Sequence, residues 1–445
     1  MKRTNAISAK LAILAAGTAL LTWTTVAAAQ AKPGAPAPST VPAAAPAPLQ
    51  IEPSAIDAAL RSLVDSQKLV GVSALVYQGD SEVYFGAFGQ ADRENNKPMA
   101  RDTLVQIFSM TKPVVGVALM KLYERDKFRL DDPLELYAPE FANLKVYAGV
   151  DDAGQPKYEA PKRKVTIRDV LRHTAGFTAG GDDQTAVGAI FREIDPRAYT
   201  NTLPEFAQKF AQVPLAYQPG TRWLYSNAVD VQAYLVQKIS GVPFDKFIDL
   251  HIFRPLGMTS TRYTVLPADP DRARLAAIYT RNDDGTFTRQ SDEEAFKFNG
   301  QEWPLKPGSF GLVSTLDDYM KFARMLLGGG KLGRVRVLKP ETVQLMATDS
   351  LPPGITDTSW LPTKGQVGFG IDLAVRVAPP QNAKEASGAL GEFFWDGAAN
   401  TLFWVDPRNQ VAAVLFTQYR PFGHVPLHKM FRDAVYRNDP LALAH

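Results

Sequence analysis

The chain has 445 residues, with 49 basic against 46 acidic, 45% hydrophobic, 10% aromatic and no cysteine. That length suits two or three domains and can bury a large core, while the missing cysteines exclude disulfides, thiolate nucleophiles, cysteine-bound zinc and iron–sulfur clusters. Five histidines, none at HExxH spacing, leave little for a metal site, and the near balance of charge argues against the basic face of a nucleic-acid binder.

Residues 1–29 hold Lys2, Arg3 and Lys10, then an apolar run over 11–21, then Val26-Ala27-Ala28-Ala29. This is the layout of a cleaved signal peptide, and its apolar core is too short for a stable membrane anchor. Cleavage after Ala29 removes three of the 49 basic residues and leaves 46 against 46 acidic ones. A periplasmic or secreted protein with no net charge is expected. Residues 30–48 are a linker: 13 of the 18 residues from Ala31 to Pro48 are Ala or Pro, and proline's fixed φ and missing N–H leave an extended tether.

Residues 52–68 place Ile56, Leu60, Leu63 and Val64 at helical spacing. Two strand-like runs, 70–77 and 82–88, flank Gln78-Gly79-Asp80 and predict a hairpin. The strand-like run 103–108 then leads into an apolar helix over 114–123. Helical patterns follow at 165–173, 204–211, 229–240 and 316–327, separated by connectors rich in Pro and Gly. Four strand candidates, 367–377, 390–395, 401–405 and 411–417, precede a last helix at 427–437. The expected class is α+β in two domains. Residues 49–124 and 326–445 supply an antiparallel sheet flanked by helices, 125–325 a mostly helical domain, and the active site lies between them.

Ser109 and Lys112 stand three apart at a helix start, close enough for hydroxyl and amine to hydrogen-bond. To act as a base, Lys112 needs its pKa brought from about 10.4 to near 7, a cost of about 4 kcal/mol that burial can supply. The same pair also fits an N-capping serine followed by an exposed lysine. Tyr225 and Asn227 sit after the turn Gln218-Pro219-Gly220 and just before the 229–240 helix. There the Tyr can relay protons, with a pKa lowered if Lys112 is close, and the Asn amide can hold a carbonyl. Trp395-Asp396-Gly397-Ala398 ends a strand: the Gly lets a substrate approach the backbone, and the following N–H can meet an oxyanion.

Ser109-x-x-Lys112, Tyr225-x-Asn227 and Trp395-x-Gly397, in that order, resemble the three motifs of the serine β-lactamase and penicillin-binding protein superfamily. Leu171-Arg172-His173-Thr174-Ala175-Gly176, Pro219-Gly220, Pro255-Leu256-Gly257-Met258 and Gly311-Leu312-Val313-Ser314-Thr315 are similar to its class C branch, so the likeness spans roughly residues 50–420. In place of Lys-Thr-Gly the third motif reads Trp-Asp-Gly, which is similar to the family VIII carboxylesterases.

The resemblance implies a serine hydrolase cleaving carboxylic esters through an acyl-enzyme, with no metal or organic cofactor. Ser109 is then the nucleophile, Lys112 and Tyr225 the base pair, and the N–H groups of Ser109 and Ala398 the oxyanion hole. Asn227, Trp395 and Gly397 contact a small ester or amide substrate. The alternatives are a class C-type β-lactamase, a D-aminopeptidase or DD-peptidase, an acyl-transferring relative, and a catalytically silent cell-wall-binding module. His173 is the one other candidate base, but no G-x-S-x-G elbow accompanies it and the resemblance makes its loop structural.

Overall fold

The computed structural model describes residues 49–443 except Asp182. The expected signal peptide and the Ala/Pro linker lie outside the described residues. Helix α1 spans Pro53–Asp65: Pro53 sits in its first turn, and Ile56, Leu60 and Leu63 bury one face. The chain then turns at Gly79, whose φ of 58° suits glycine, joining β1 (Gly71–Gln78) to β2 (Ser81–Asp92). A short β3 (Lys97–Pro98) follows. The C-terminal part adds β4 (Val367–Phe369), β5 (Ala374–Arg376), β6 (Phe393–Asp396), β7 (Leu402–Asp406) and β8 (Val411–Phe416).

These strands make one antiparallel sheet in the order β4-β5-β6-β7-β8-β1-β2-β3. Pairing of β8 with β1, from Ser73 opposite Phe416 to Gln78 opposite Val411, joins the two ends of the chain. Adjacent residues of β7 serve opposite faces, as a strand's period of two requires. Phe403 packs its ring 5.1 Å from Tyr319 of helix Leu316–Leu327, whereas Trp404 lies 5.1 Å from Phe431 of helix Leu427–Val435. The latter helix also packs on α1.

The expected strand 367–377 is in fact β4 and β5, because the Gly370 N–H bonds the Leu373 carbonyl and Asp372 takes φ 53° to close a tight turn. Helix Leu316–Leu327 packs on β8, β7 and β1, so it lies on the sheet and not with the helical segment it adjoins in sequence. Helix Ala186–Ile194 and the hairpin Val146–Val150 with Pro156–Glu159 had no counterpart among the expected elements. Helix α2 (Thr111–Tyr123) is buried along nearly its whole length and packs against α3 (Ala228–Ser240). One continuous apolar cluster runs from the sheet through α2 into the helical segment. The N-terminus of α2, the loop before α3 and the end of β6 meet at that junction.

Candidate active site

The strand Val105–Gln106 delivers the chain to Phe108, a non-glycine residue at φ 43°. That strained conformation turns the backbone so that Ser109 sits on the tight turn Phe108–Met110 leading into α2. Tyr319 pins the turn by donating to the Met110 carbonyl at 2.7 Å.

Lys112 is only 3% exposed. Its Nζ donates to Ser109 Oγ at 3.1 Å and to the Ser309 carbonyl at 2.6 Å, both neutral acceptors. Burial brings the amine down to about 7, against the opposing pull of Asp230. Asp230 itself accepts from the Ser309 N–H at 2.8 Å and Oγ at 2.9 Å, which fixes the loop that takes the lysine.

Tyr225 is hydrogen-bonded to Ser109, and its ring centroid is 4.6 Å from Lys112 Nζ. Trp395 Nε1 donates to its hydroxyl at 3.4 Å. Here a sequence expectation reverses: burial pushes the phenol far above its ordinary value of 10, outweighing the hydrogen bonds from Ser109 and Trp395 that favour the phenolate. The two groups are thus driven apart, Lys112 toward the free amine and Tyr225 toward the protonated phenol.

His173 is 1% exposed at φ 59°, with the backbone N–H of Ser226 donating to Nδ1 at 3.2 Å. That bond assigns the ring proton to Nε2, which faces Asp372 Oδ1 at 4.0 Å. Burial, reinforced by Lys112, depresses its pKa to about 3. The ring is neutral and its lone pair is occupied, so it has nothing to offer Ser109 as a base.

Asn227 stands at the start of α3, but its side chain does not cap that helix. Its Oδ1 accepts from Arg197 Nη1 at 3.1 Å and its Nδ2 donates to the Thr178 carbonyl at 3.4 Å. Gly397 lets the end of β6 lie against the nucleophile turn, since a Cβ there would come 2.5 Å from the Ile107 carbonyl and 2.3 Å from Thr401 Oγ1. Among the described residues the N–H groups of Ser109 and Ala398 have no backbone acceptor. The geometry therefore brings Ser109, Lys112, Tyr225, Asn227, Trp395 and Gly397 together at one junction.

Several neighbours carried no sequence signal. Trp360, from the loop before β4, lies 5.2 Å from the Tyr225 ring, and with Trp223 and Trp395 at 6.2 and 5.4 Å it completes an aromatic wall. Three of the chain's six tryptophans thus surround one tyrosine. Lys364, its side chain 5% exposed, pairs with Asp396 and sits 4.4 Å from the Trp360 ring and 5.0 Å from the Trp395 ring. Arg197, on the Asn227 amide, was also unforeseen. Among the described residues no group of three His, Asp or Glu converges as a metal site.

The chain belongs to the beta-lactamase family, whose model matches residues 56–435. It is 34% identical to Protein Rv1367c of Mycobacterium tuberculosis over 82% of this chain and 89% of that one. It is 32% identical to Esterase EstB of Burkholderia gladioli over 49% of this chain and 52% of that protein. Among solved structures it resembles "EstCE1, a hydrolase with promiscuous acyltransferase activity", with a TM-score of 0.69 and 26% identity over 86% of this chain and 98% of that one. The fold is that of the serine β-lactamase and penicillin-binding protein superfamily, and these similarities lie toward its esterases.

Proposed function

We propose that the protein hydrolyses carboxylic esters through an acyl-enzyme on Ser109. The observation that carries this reading is the 3.1 Å hydrogen bond from Lys112 to Ser109, made by a buried amine whose pKa is about 7. Neutral Lys112 takes the hydroxyl proton as Ser109 Oγ attacks the ester carbonyl. The N–H groups of Ser109 and Ala398 receive the oxyanion. As the intermediate collapses, the carbonyl–alkoxy bond breaks and the alcohol leaves with the phenolic proton of Tyr225, which regains one from the Lys112 ammonium. Water then attacks the acyl group, its proton passing by the same route, and releases the acid.

With Lys364 bound to Asp396, the Trp395 position offers no free cation, which supports esters over β-lactams as substrates. Ser109→Ala should reduce p-nitrophenyl butyrate turnover to background while leaving the folded spectrum intact; substantial residual turnover would refute the assignment. A panel of that ester, nitrocefin and D-Ala-D-Ala peptides separates the esterase from the β-lactamase and peptidase readings, and labelling of Ser109 by a fluorophosphonate excludes a silent binding module.

A second reading is supported by the acyltransferase activity named for EstCE1. In it, an alcohol in place of water accepts the acyl group. Formation of butyl butyrate from p-nitrophenyl butyrate in dilute butanol distinguishes it from hydrolysis alone. We also propose export, tested by a mature N-terminus at Gln30.

A further inference from the structure

Most charges around Ser109 are answered by the protein. Asp230 holds Ser309, and Lys364 holds Asp396. Asp372 accepts from Gln232 at 3.0 Å, with burial raising its pKa well above the carboxylate range. Arg197 is different. Its Nη1 bonds the neutral Asn227 amide, and its guanidinium carbon lies 5.6 Å from the Phe191 ring centroid and 5.9 Å from that of Phe310. It is half-buried, and no carboxylate comes within 4.0 Å of it among the described residues.

Arg420 is in the same condition: exposed, 5.7 Å from the Phe108 ring, and without a carboxylate partner among the described residues. Phe108 immediately precedes the nucleophile, and Phe310 immediately follows Ser309, the acceptor of Lys112. Both rings and Arg420 line one cavity of about 190 Å³, together with Tyr199 and Phe298; the exposed pair Glu294 and Lys297 adds no net charge to its edge. An arginine stacked on aromatic rings keeps its charge and several in-plane N–H groups, the donor fork that suits a carboxylate.

We propose that Arg197, assisted by Arg420, makes this a site for esters that carry a carboxylate on the group entering the Phe108/Phe310 cavity. The proposal rests on the esterase reading and names its substrate class. It also supplies, from the loop after helix Ala186–Ile194, a cation that the Trp395 position lacks. Arg197 is near enough to Lys112 to help lower its pKa, so a substrate carboxylate drawing on Arg197 would act beside the base itself.

The test compares matched esters. p-Nitrophenyl butyrate against mono-p-nitrophenyl glutarate places the carboxylate on the acyl side; phenyl butyrate against 4-carboxyphenyl butyrate places it on the alcohol side. The readout is the ratio of kcat/KM for the anionic ester to that for the neutral one, in which any general loss from disturbing Asn227 cancels. Arg197→Gln should lower the ratio tenfold or more for one pair, Arg420→Gln less, and Arg197→Lys should retain most of it. Ratios unchanged within twofold for both pairs in Arg197→Gln overturn the proposal. A fluorophosphonate arm needs no turnover: glutarate should protect wild-type Ser109 from labelling better than butyramide does, and lose that advantage in Arg197→Gln. Equal protection in the wild type overturns the proposal alone. Failure of Ser109 to label at all removes the function beneath it as well.

Discussion

Two buried lysines lie against the aromatic cluster around Tyr225, and their surroundings give them opposite chemistry. Lys112 meets only neutral oxygens, of Ser109 and Ser309, and burial brings it to about 7. Lys364 is also lowered by burial, but Asp396 touches it and resists. A buried amine without a counter-ion in contact becomes a base; one with a counter-ion becomes a structural ion pair. Lys112 lies 4.6 Å from the Tyr225 ring and Lys364 5.0 Å from the Trp395 ring, so what separates them is the touching carboxylate on Lys364, with Arg197 adding to the depression of Lys112.

Swapping each lysine for methionine separates the two chemistries with the largest effect. Lys112→Met should lower kcat/KM for p-nitrophenyl butyrate by about 10³-fold or more, the loss of both the general base and its geometry. Its unfolding free energy in urea at pH 7 should rise, by up to about 4 kcal/mol, because the swap roughly conserves volume and removes the penalty of holding a buried amine at about 7, the lost hydrogen bond to the Ser309 carbonyl taking back part of the gain. Lys364→Met should do the reverse on stability, costing about 3–5 kcal/mol by leaving Asp396 buried without its partner. Equal stability losses in the two variants would show that the lysines are not distinguished in this way.

Between these extremes lies the contact that joins the two regions. Gly397→Ala should cost about 10²-fold in kcat/KM and about 1–3 kcal/mol in unfolding free energy, since its Cβ would press on the Ile107 carbonyl and shift Ser109 against its base. The smallest effect is on pH. Protonated Lys112 cannot accept the serine proton, so kcat/KM should rise with pH through an apparent pKa near 7, with no falling limb from Tyr225 below pH 10 because burial keeps the phenol protonated. A rising limb that disappears in His173→Ala would move the base to the histidine.

The sheet was legible from apolar runs and the turn residues between them: 401–405 and 411–417 differ from the observed strands by at most a residue at either end, and the expected helix 316–327 matches Leu316–Leu327. The tight turn at Gly370–Leu373 was hidden, because an apolar run with one glycine reads the same whether straight or folded back. Ser109, Lys112, Tyr225, Asn227, Trp395 and Gly397 could be picked out by motif before any contact was known. Trp360, Lys364 and Arg197 could not: Trp360 and Arg197 come from connecting segments and Lys364 from the single 3₁₀ turn Leu361–Lys364, too short to show a periodicity.

Local sequence by itself determined which residues carry reactive groups and which elements bear them, because a serine one helical turn from a lysine, or a glycine closing a strand, is a short-range arrangement. Tertiary structure decided their protonation and their company. A pKa depends on desolvation and on charges brought from far along the chain, and so the tyrosine whose pKa was expected to fall beside Lys112 has it raised by burial, while a lysine near the absent third-motif cation spends its charge on Asp396.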